Sequence, residues 1–565
     1  MAWNWVDAME NEKPQSRAEA IALATATGQP YELALQEVNG QPCRVFVNAP
    51  RSLRELFELA RSDEMFYVYE SERYSFEDMY ERAASVAHVL VETYNIRPGD
   101  RVAISMRNYP EWVIAFMAVT SIGGIAVAMN ALWEAEEMAY GLTHCGARVI
   151  FADQERMDRV ARCDIDIAVI GVRPAKPLAE GIRLMTDLYA NKVDMPQVDV
   201  DSDADATILY TSGSTGHPKG AVSTHRNVLS ALLSWELDGA AGALVSGITP
   251  EPLPYQVATL LGVPLFHVAG LHAVLLSSFR AQRKVVAMYK WDVETAAELI
   301  EREKIATFVA PAAMTGDLVA HAGKTQRDLS SLVMVGGGGA PRAPEQVKRI
   351  ASSFKKAMPN TGWGMTETNA IGTGVAGEAY LAKPGSSGVA SAVLDLAIVD
   401  ATGRHLPAGE RGELLIRGTS VIRGYWENPE ANAASFTDGW FHTGDVAYLD
   451  DEGFLYIVDR IKQLIIRGGE NIGCGEVEAA LLTHPQVLEA SVYGLPDERL
   501  GEEIGATVYV SAPVDEDALR AYLLDHLAKF KIPRYLRFES EALPRIASGK
   551  IDKLTVRQWH LEQLG

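Results

Sequence analysis

The run Tyr210-Thr211-Ser212-Gly213-Ser214-Thr215-Gly216-His217-Pro218-Lys219-Gly220 follows directly on a mostly apolar stretch, Ala206 to Leu209. Four aliphatic hydroxyls, three glycines and one lysine so close together have the composition of a phosphate cradle. Glycine lets backbone N–H groups approach an anion, hydroxyls add donors, and lysine supplies charge. The usual nucleotide loop ends in glycine-lysine-serine/threonine and opens a helix. Here Pro218 precedes Lys219 and Gly220 follows it, so the spacing points to a nucleotide triphosphate held in another way. The length and composition of the run weigh against a plain surface turn.

Five further segments carry groups suited to the same ligand. Met334 to Pro341 is a strand running into Gly336, Gly337, Gly338 and Gly339, bare backbone against which a flat ligand can lie. Thr361 to Thr368 offers the Trp363 face for stacking, the Thr366 hydroxyl and the hard carboxylate oxygens of Glu367, which suit magnesium. Trp440 to Asp445 places a carboxylate where a turn is expected, able to accept both hydroxyls of a ribose; capping that turn is its bland alternative. Asp459 to Ile472 contains Arg460, Lys462, Gly468, Gly469 and Glu470, and Leu543 to Lys553 carries Lys550 on a glycine-containing loop. Taken alone, Lys550 and Glu470 read as solvated surface residues, and His267 is as readily a core histidine as an active-site one.

In this order the segments resemble the adenylate-forming superfamily, which includes acyl- and aryl-CoA ligases, luciferases and peptide-synthetase adenylation domains. The resemblance spans roughly residues 65 to 560 and is closest to fatty-acid-type acyl-CoA ligases. It implies a carboxylate attacking the α-phosphate of ATP, then a thiol, usually that of coenzyme A, taking the acyl group and releasing AMP. It assigns Thr211, Ser212, Gly213, Ser214, Thr215, Gly216 and Lys219 to the β- and γ-phosphates. Glu367, with Thr211, is assigned to magnesium, and Thr366 to the α-phosphate. Trp363 stacks on adenine where the family usually has tyrosine, bordered by Gly338, Gly339 and Ala340. Asp445 binds the ribose with Arg460 beside it. Lys550 bridges the carboxylate and α-phosphate, His267 lies near the acyl carbon, and Lys462 is the hinge that brings Gly468, Gly469 and Glu470 in for thiolation. Ile546 replaces the family's usual threonine, and Gly473-Cys474-Gly475 replaces a bulkier stretch.

The same resemblance gives the acyl pocket Trp235, His267, Val309, Ala310, Gly338, Thr361 and Asn369 as walls, mostly apolar or small. That set favours a medium- or long-chain fatty acid. The rival readings are an aryl-CoA ligase, a ligase that loads a carrier protein, and an inactive nucleotide sensor.

The elements that must position these groups are legible in outline. From about residue 65 short apolar runs alternate with helical patterns, giving an α/β fold with largely parallel sheets. Expected strands include Arg101 to Met106, Ala206 to Tyr210, Lys284 to Ala287, Thr307 to Val309 and Leu332 to Val335. Residues 385 to 460 read as an antiparallel, barrel-like module, with a strand beginning at Asp445. The pattern restarts after Arg460. The expectation is a large N-terminal domain, 1–460, with two parallel-sheet subdomains and the barrel-like one. A small, mobile α+β domain, 461–565, follows a hinge near 459–462. Residues 1 to 60 read as a helical lead-in. The uncharged run Trp112 to Met129 reads as a buried helix and strand rather than a membrane span.

The chain has 565 residues and a formal charge of −22, from 52 basic and 74 acidic side chains. So negative a field disfavours nucleic acid and anionic lipid as partners. Cys43, Cys145, Cys163 and Cys474 show no paired spacing, which argues against a zinc site or disulfide framework. With no secretory signal in the first residues, a reducing, cytoplasmic setting is the expectation. The oligomeric state stays open, with a homodimer one option.

Overall fold

The computed structural model describes residues 14–189, 192–211, 218–247, 253–338, 342, 344–354, 356–467, 470–546 and 549–564. Short runs of valine, isoleucine and alanine without polar alternation become strands buried on both faces, as parallel strands covered by helices must be. Two large sheets result. One has eight strands in the order Gly424–Tyr425, Lys219–Thr224, Asp205–Thr211, Ile125–Ala128, Arg101–Ser105, Val149–Asp153, Ala168–Val172, Arg183–Leu184. Only the two pairings made by Lys219–Thr224 are antiparallel. The other has nine strands, and its parallel centre runs from Met358–Thr361 through Met334–Gly336, Ile305–Val309, Ala258–Leu261 and Lys284–Ala287 to Met65–Tyr69.

The uncharged run near residue 112 divides as its glycines require. Helix Pro110–Ser121 is buried along its whole length, and strand Ile125–Ala128 follows. Residues 14–60 depart from the expected helical lead-in. Between helices Arg17–Ala24 and Leu53–Leu59 lies an antiparallel hairpin, Leu33–Val38 with Gln41–Phe46. Asn39 and Gly40 at its tip both have positive φ, the two-residue turn that matches strand twist.

Residues 394–460 form the antiparallel sheet that the sequence suggested: Leu394–Val399, Gly412–Gly418 and Trp440–Leu449, with Phe436–Thr437 and Leu455–Arg460 both pairing to the last. Strand Trp440–Leu449 is ten residues long and contains Asp445. Asp445 is therefore not at a turn; its side chain belongs to the buried face of a strand. Beyond it a second antiparallel framework, Ile465–Arg467, Glu470–Ile472, Val487–Asp497 and Gly501–Val510, takes Tyr535–Glu539 as a parallel edge. Its apolar core is its own, drawn from residues between Ile465 and Leu536.

The helix after Phe266 is a π-helix, Ala269–Leu276, in which the Ser277 N–H reaches back five residues to the His272 carbonyl. Such turns are rare and concentrate at functional sites. Its entry depends on Gly270, where a Cβ would lie 2.2 Å from the Pro264 carbonyl oxygen. Gly270→Ala is expected to destabilise the large domain by about 1–3 kcal/mol, the range for overpacking a tight core. A thermal midpoint unchanged from the native chain would contradict this packing.

Candidate active site

The cradle is a connection between antiparallel strands. Thr211 ends one strand and pairs with Lys219, which begins the next. A helix does not follow at once, so the lysine sits on a strand edge rather than in the first helical turn of a P-loop. Ser212, Gly213, Ser214, Thr215 and Gly216 lie outside the described residues. The base of the connection is fixed from the side by helix Ala135–Cys145, started by a Glu134/Glu137 capping box. The Tyr210 hydroxyl donates to the Gly141 carbonyl at 3.0 Å, and the Tyr140 hydroxyl donates to the Pro218 carbonyl at 3.3 Å.

Strand Lys219–Thr224 packs on the 3₁₀ turn Thr366–Thr368. That brings Lys219 and Glu367 together through Tyr425: the Lys219 Nζ lies 5.0 Å from the Tyr425 ring centre, and the Tyr425 hydroxyl donates to Glu367 Oε1 at 2.9 Å. Among the described residues no carboxylate pairs with Lys219, which leaves its charge for an incoming anion. Glu367 is buried, and loss of water pushes its carboxyl up. The Tyr425 hydroxyl and, more weakly, the charges of Arg460 and Lys219 oppose that rise. Asn369 and Ala370, directly after this turn, both have left-handed backbone, with φ of 57° and 66°. Two such residues in succession cost of order 1–3 kcal/mol each and cluster at functional sites. Nothing local in residue order marks them.

Trp363 and Asp445 meet. The buried Trp363 indole donates its Nε1–H to Asp445 Oδ2 at 2.8 Å, and Arg460 Nε sits 2.6 Å from Asp445 Oδ1. Arg460 also donates to the Thr443 carbonyl at 3.1 Å. A carboxylate can accept about four hydrogen bonds, so acceptor capacity remains for a ligand. Burial pushes the Asp445 carboxyl up; the Arg460 charge, the indole N–H and the Lys550 charge pull the other way.

Lys550 belongs to the same group although it comes from the second framework. An Arg545–Ile551 bridge and a Gly549 N–H to Ile546 carbonyl bond shape its loop. A Cβ at Gly549 would touch Met314 Sδ at 3.5 Å, so the loop lies on helix Ala312–Ala322 of the large domain. Burial lowers the Lys550 ammonium pKa, the Arg460 charge lowers it further, and Asp445 opposes both. His267 completes the group: burial holds it down at about 4, and the Lys550 charge adds to that. Its Nδ1 accepts from the Ala269 N–H at 3.4 Å, which leaves the proton on Nε2.

The glycines after Met334 have a prior duty inside the fold. A Cβ at Gly336 would strike Asn360, at Gly337 the Ala310 backbone, and at Gly338 the Gly362 carbonyl at 2.4 Å. The parallel strands approach so closely that glycine is needed whether or not a ligand is present. Gly339, Ala340, Gly468 and Gly469 lie outside the described residues, as does the side chain of Lys462. Glu470 is exposed, opposite Arg467 in a hairpin; among the described residues it makes no hydrogen bond or ion pair with the Lys550 group. Thr366 opens the turn that holds Glu367.

Residues 57–426 match the model of the AMP-binding enzyme family, and residues 476–550 match that of the AMP-binding enzyme C-terminal domain. The chain belongs to the AMP-binding enzyme family. It is 34% identical to a feruloyl-CoA synthase of Amycolatopsis sp over 491 residues, covering 86% of this chain and 93% of the relative. It is also 34% identical to the long-chain-fatty-acid–CoA ligase FadD13 of Mycobacterium tuberculosis, covering 82% and 88%. The solved structure of o-succinylbenzoate CoA synthetase from Bacillus subtilis, in complex with ATP and magnesium, superposes with a TM-score of 0.74 at 29% identity, over 89% of this chain and 99% of that one. This AMP-binding enzyme is an AMP-forming acid–thiol ligase.

The residues present fit the nucleotide and its metal. Glu367 is a buried carboxylate whose direct partner is a hydroxyl, so a hard cation there would compensate its charge. Among the described residues no cluster of three ligating side chains forms a cage. Magnesium takes one or two carboxylates and completes its shell with phosphate and water, and Glu367 could serve as such a carboxylate. When bound, the metal would offset phosphate charge.

Two outcomes follow from the charges. With Lys550 taken as the cation of adenylate formation, its depressed pKa should make activity fall below the usual lysine range as pH rises. Arg460→Gln removes the neighbouring positive charge and should move that alkaline limb to higher pH; a limb that stays put or moves down contradicts the placement. Trp363→Phe removes one donor from Asp445 and should raise the KM for ATP by about tenfold, the scale of one hydrogen bond to a charged group, with a much smaller change in kcat. Equal KM values would show that the indole N–H does not serve the nucleotide site.

Proposed function

We propose that this ligase activates a hydrophobic carboxylic acid of the fatty-acyl type and transfers it to coenzyme A. In the first step a carboxylate oxygen bonds to the α-phosphorus of ATP. The bond from that phosphorus to the α–β bridging oxygen breaks, and pyrophosphate leaves. In the second step the coenzyme A thiol, losing its proton, bonds to the acyl carbon and AMP leaves. The observation that carries the reading is Lys550 beside Asp445, Arg460 and His267. Two anions must meet in the first step, and positioned positive charge is what lowers that barrier. Lys219 is left for the departing pyrophosphate, and Asp445, held from two sides, for the ribose hydroxyls. His267 is neutral at working pH and offers an Nε2–H beside the acyl carbon without adding charge.

Support for the fatty-acyl type comes from the apolar character of Trp235, Val309 and Ala310, with Ala310 fully buried. The second step needs Glu470 and its neighbours where Lys550 now sits, so the small domain turns about a hinge near 459–462. A panel of acids tested for AMP release with and without coenzyme A decides the substrate. Activity confined to amino acids overturns the reading; activity confined to cinnamates replaces the fatty acid with an aryl one; release independent of coenzyme A makes a carrier protein the acceptor. No ATP–pyrophosphate exchange with any acid, despite ATP binding, favours a nucleotide sensor.

Lys550→Ala should slow adenylate formation by about 10²–10³, the scale for removing one preorganised electrostatic group, yet leave thiolation of supplied acyl-adenylate nearly intact. Lys462→Pro should do the converse by stiffening the hinge. Equal loss of both half-reactions in Lys550→Ala contradicts its assigned role.

A further inference from the structure

The start of helix Cys474–Leu481 has no capping side chain of its own, because Gly473 stands at the position before it. The first N–H groups of a helix need acceptors from elsewhere. Here the Cys474 N–H donates to Asp459 Oδ2. Asp459 lies on strand Leu455–Arg460, the last before the small domain, while Cys474 is buried in the small domain's own core. The cap therefore crosses the proposed hinge near 459–462. Gly473 lets the two parts meet, for a Cβ there would lie 3.0 Å from the Val458 carbonyl oxygen. The Asp459 carboxylate also meets the positive end of the helix dipole.

The other polar contacts of this helix stay on its own side of the hinge. Cys474 Sγ donates to the Gln463 carbonyl at 3.2 Å. Burial pushes that thiol up, so it keeps the proton it donates. One turn further on, Glu478 Oε1 accepts from the Val492 N–H at 2.8 Å and lies 2.7 Å from Lys553 Nζ. Lys553 is three residues beyond Lys550. A continuous path thus runs from Asp459 through the helix to the segment that presents Lys550. Turning the small domain about Lys462 would carry Gln463, Cys474, Glu478 and Lys553 together and leave Asp459 behind. Of these hydrogen bonds, the Asp459 cap is the one that has to break.

We propose that Asp459 is a positioning residue for adenylate formation: its carboxylate latches the small domain where Lys550 meets the site, and the latch opens when the domain turns for thiolation. This rests on the two-step reading above and adds what holds the first position. It also gives the Gly473-Cys474-Gly475 departure a use, since glycine admits the strand and Cys474 supplies an N–H at a helix position that proline, which has none, readily fills.

The test compares the native residue with Asp459→Ala, which loses the cap, and Asp459→Asn, which loses the charge but keeps an acceptor. The first readout needs no substrate. In a full chain carrying Met314→Cys and Gly549→Cys, whose side chains would touch, the cross-linked fraction is titrated in a glutathione redox buffer. Asp459→Ala should lower the constant for closing that disulfide about fivefold, which is about 1 kcal/mol, the worth of a helix cap. Asp459→Asn should stay within about twofold of the parent pair, since asparagine caps nearly as well. The second readout uses the chain without the added cysteines. Asp459→Ala should speed thioester formation from supplied acyl-adenylate and coenzyme A by up to about fivefold, while ATP–pyrophosphate exchange does not rise. A residue that only stabilised the fold would speed neither half-reaction. Cross-linking unchanged in Asp459→Ala, or both half-reactions slowed together, overturns the latch. Asp459→Asn matching Asp459→Ala also overturns it, leaving the charge of Asp459 rather than its cap as the cause. Weaker cross-linking in Asp459→Ala with no thioester from any supplied adenylate supports the latch and overturns the coenzyme A reading instead.

Discussion

The Asp445 carboxylate is the constraint on which the site depends. It is buried in the middle of strand Trp440–Leu449, where an isolated charge is costly, and it is retained because donors reach it from both sides. Trp363 comes from the end of the nine-stranded sheet and Arg460 from the last strand before the small domain. Lys550 then enters from the small domain as a second cation near the first. Arg460 and Lys550 draw on Asp445 from one side of the charge balance and the Asp459 carboxylate from the other, so these four groups are close to neutral together. The docking of Gly549 on Met314 accompanies the approach of the Lys550 cation to Asp445 and Arg460.

The large sheets serve this arrangement by delivering chain ends to one place. Strands Ile305–Val309, Met334–Gly336 and Met358–Thr361 run parallel, and their carboxyl ends bring Ala310, Gly337 and Thr361 together, as open α/β sheets do at their binding crevices. The antiparallel return at Lys219 sets that lysine against Tyr425 and, through it, near Glu367.

Much of this was legible in residue order. The cradle and the tryptophan-to-glutamate segment stand out because their chemistry needs special residue types, Arg460 and Lys550 stand out only through the family resemblance, and the parallel strands stand out because they are apolar throughout. What the sequence hid depends on contacts distant in the chain. Asp445 after a glycine looked like a turn residue, yet pairing with Gly412–Gly418 draws it into a strand interior. Glycines 336 to 338 looked like a ligand-facing surface, yet Asn360, Ala310 and Gly362 already demand them. The Leu33–Phe46 hairpin was hidden by its short length, and the π turn at His272 has no local signature because it is set by packing.

The central claim is that the docked position of Lys550 is the one that makes adenylate, and that it must be left before coenzyme A can react. The most direct measurement uses Met314→Cys with Gly549→Cys, positions whose side chains would touch, in a chain whose four own cysteines are unpaired and buried or half-buried. Because position 549 has a φ of +82° that strains any side chain, the reduced variant is the reference: closing the disulfide should leave ATP–pyrophosphate exchange near the reduced variant's rate and block thioester formation until a reductant is added. Thioester formation at the reduced variant's rate in the oxidised protein, or loss of exchange that reduction restores, would contradict the account.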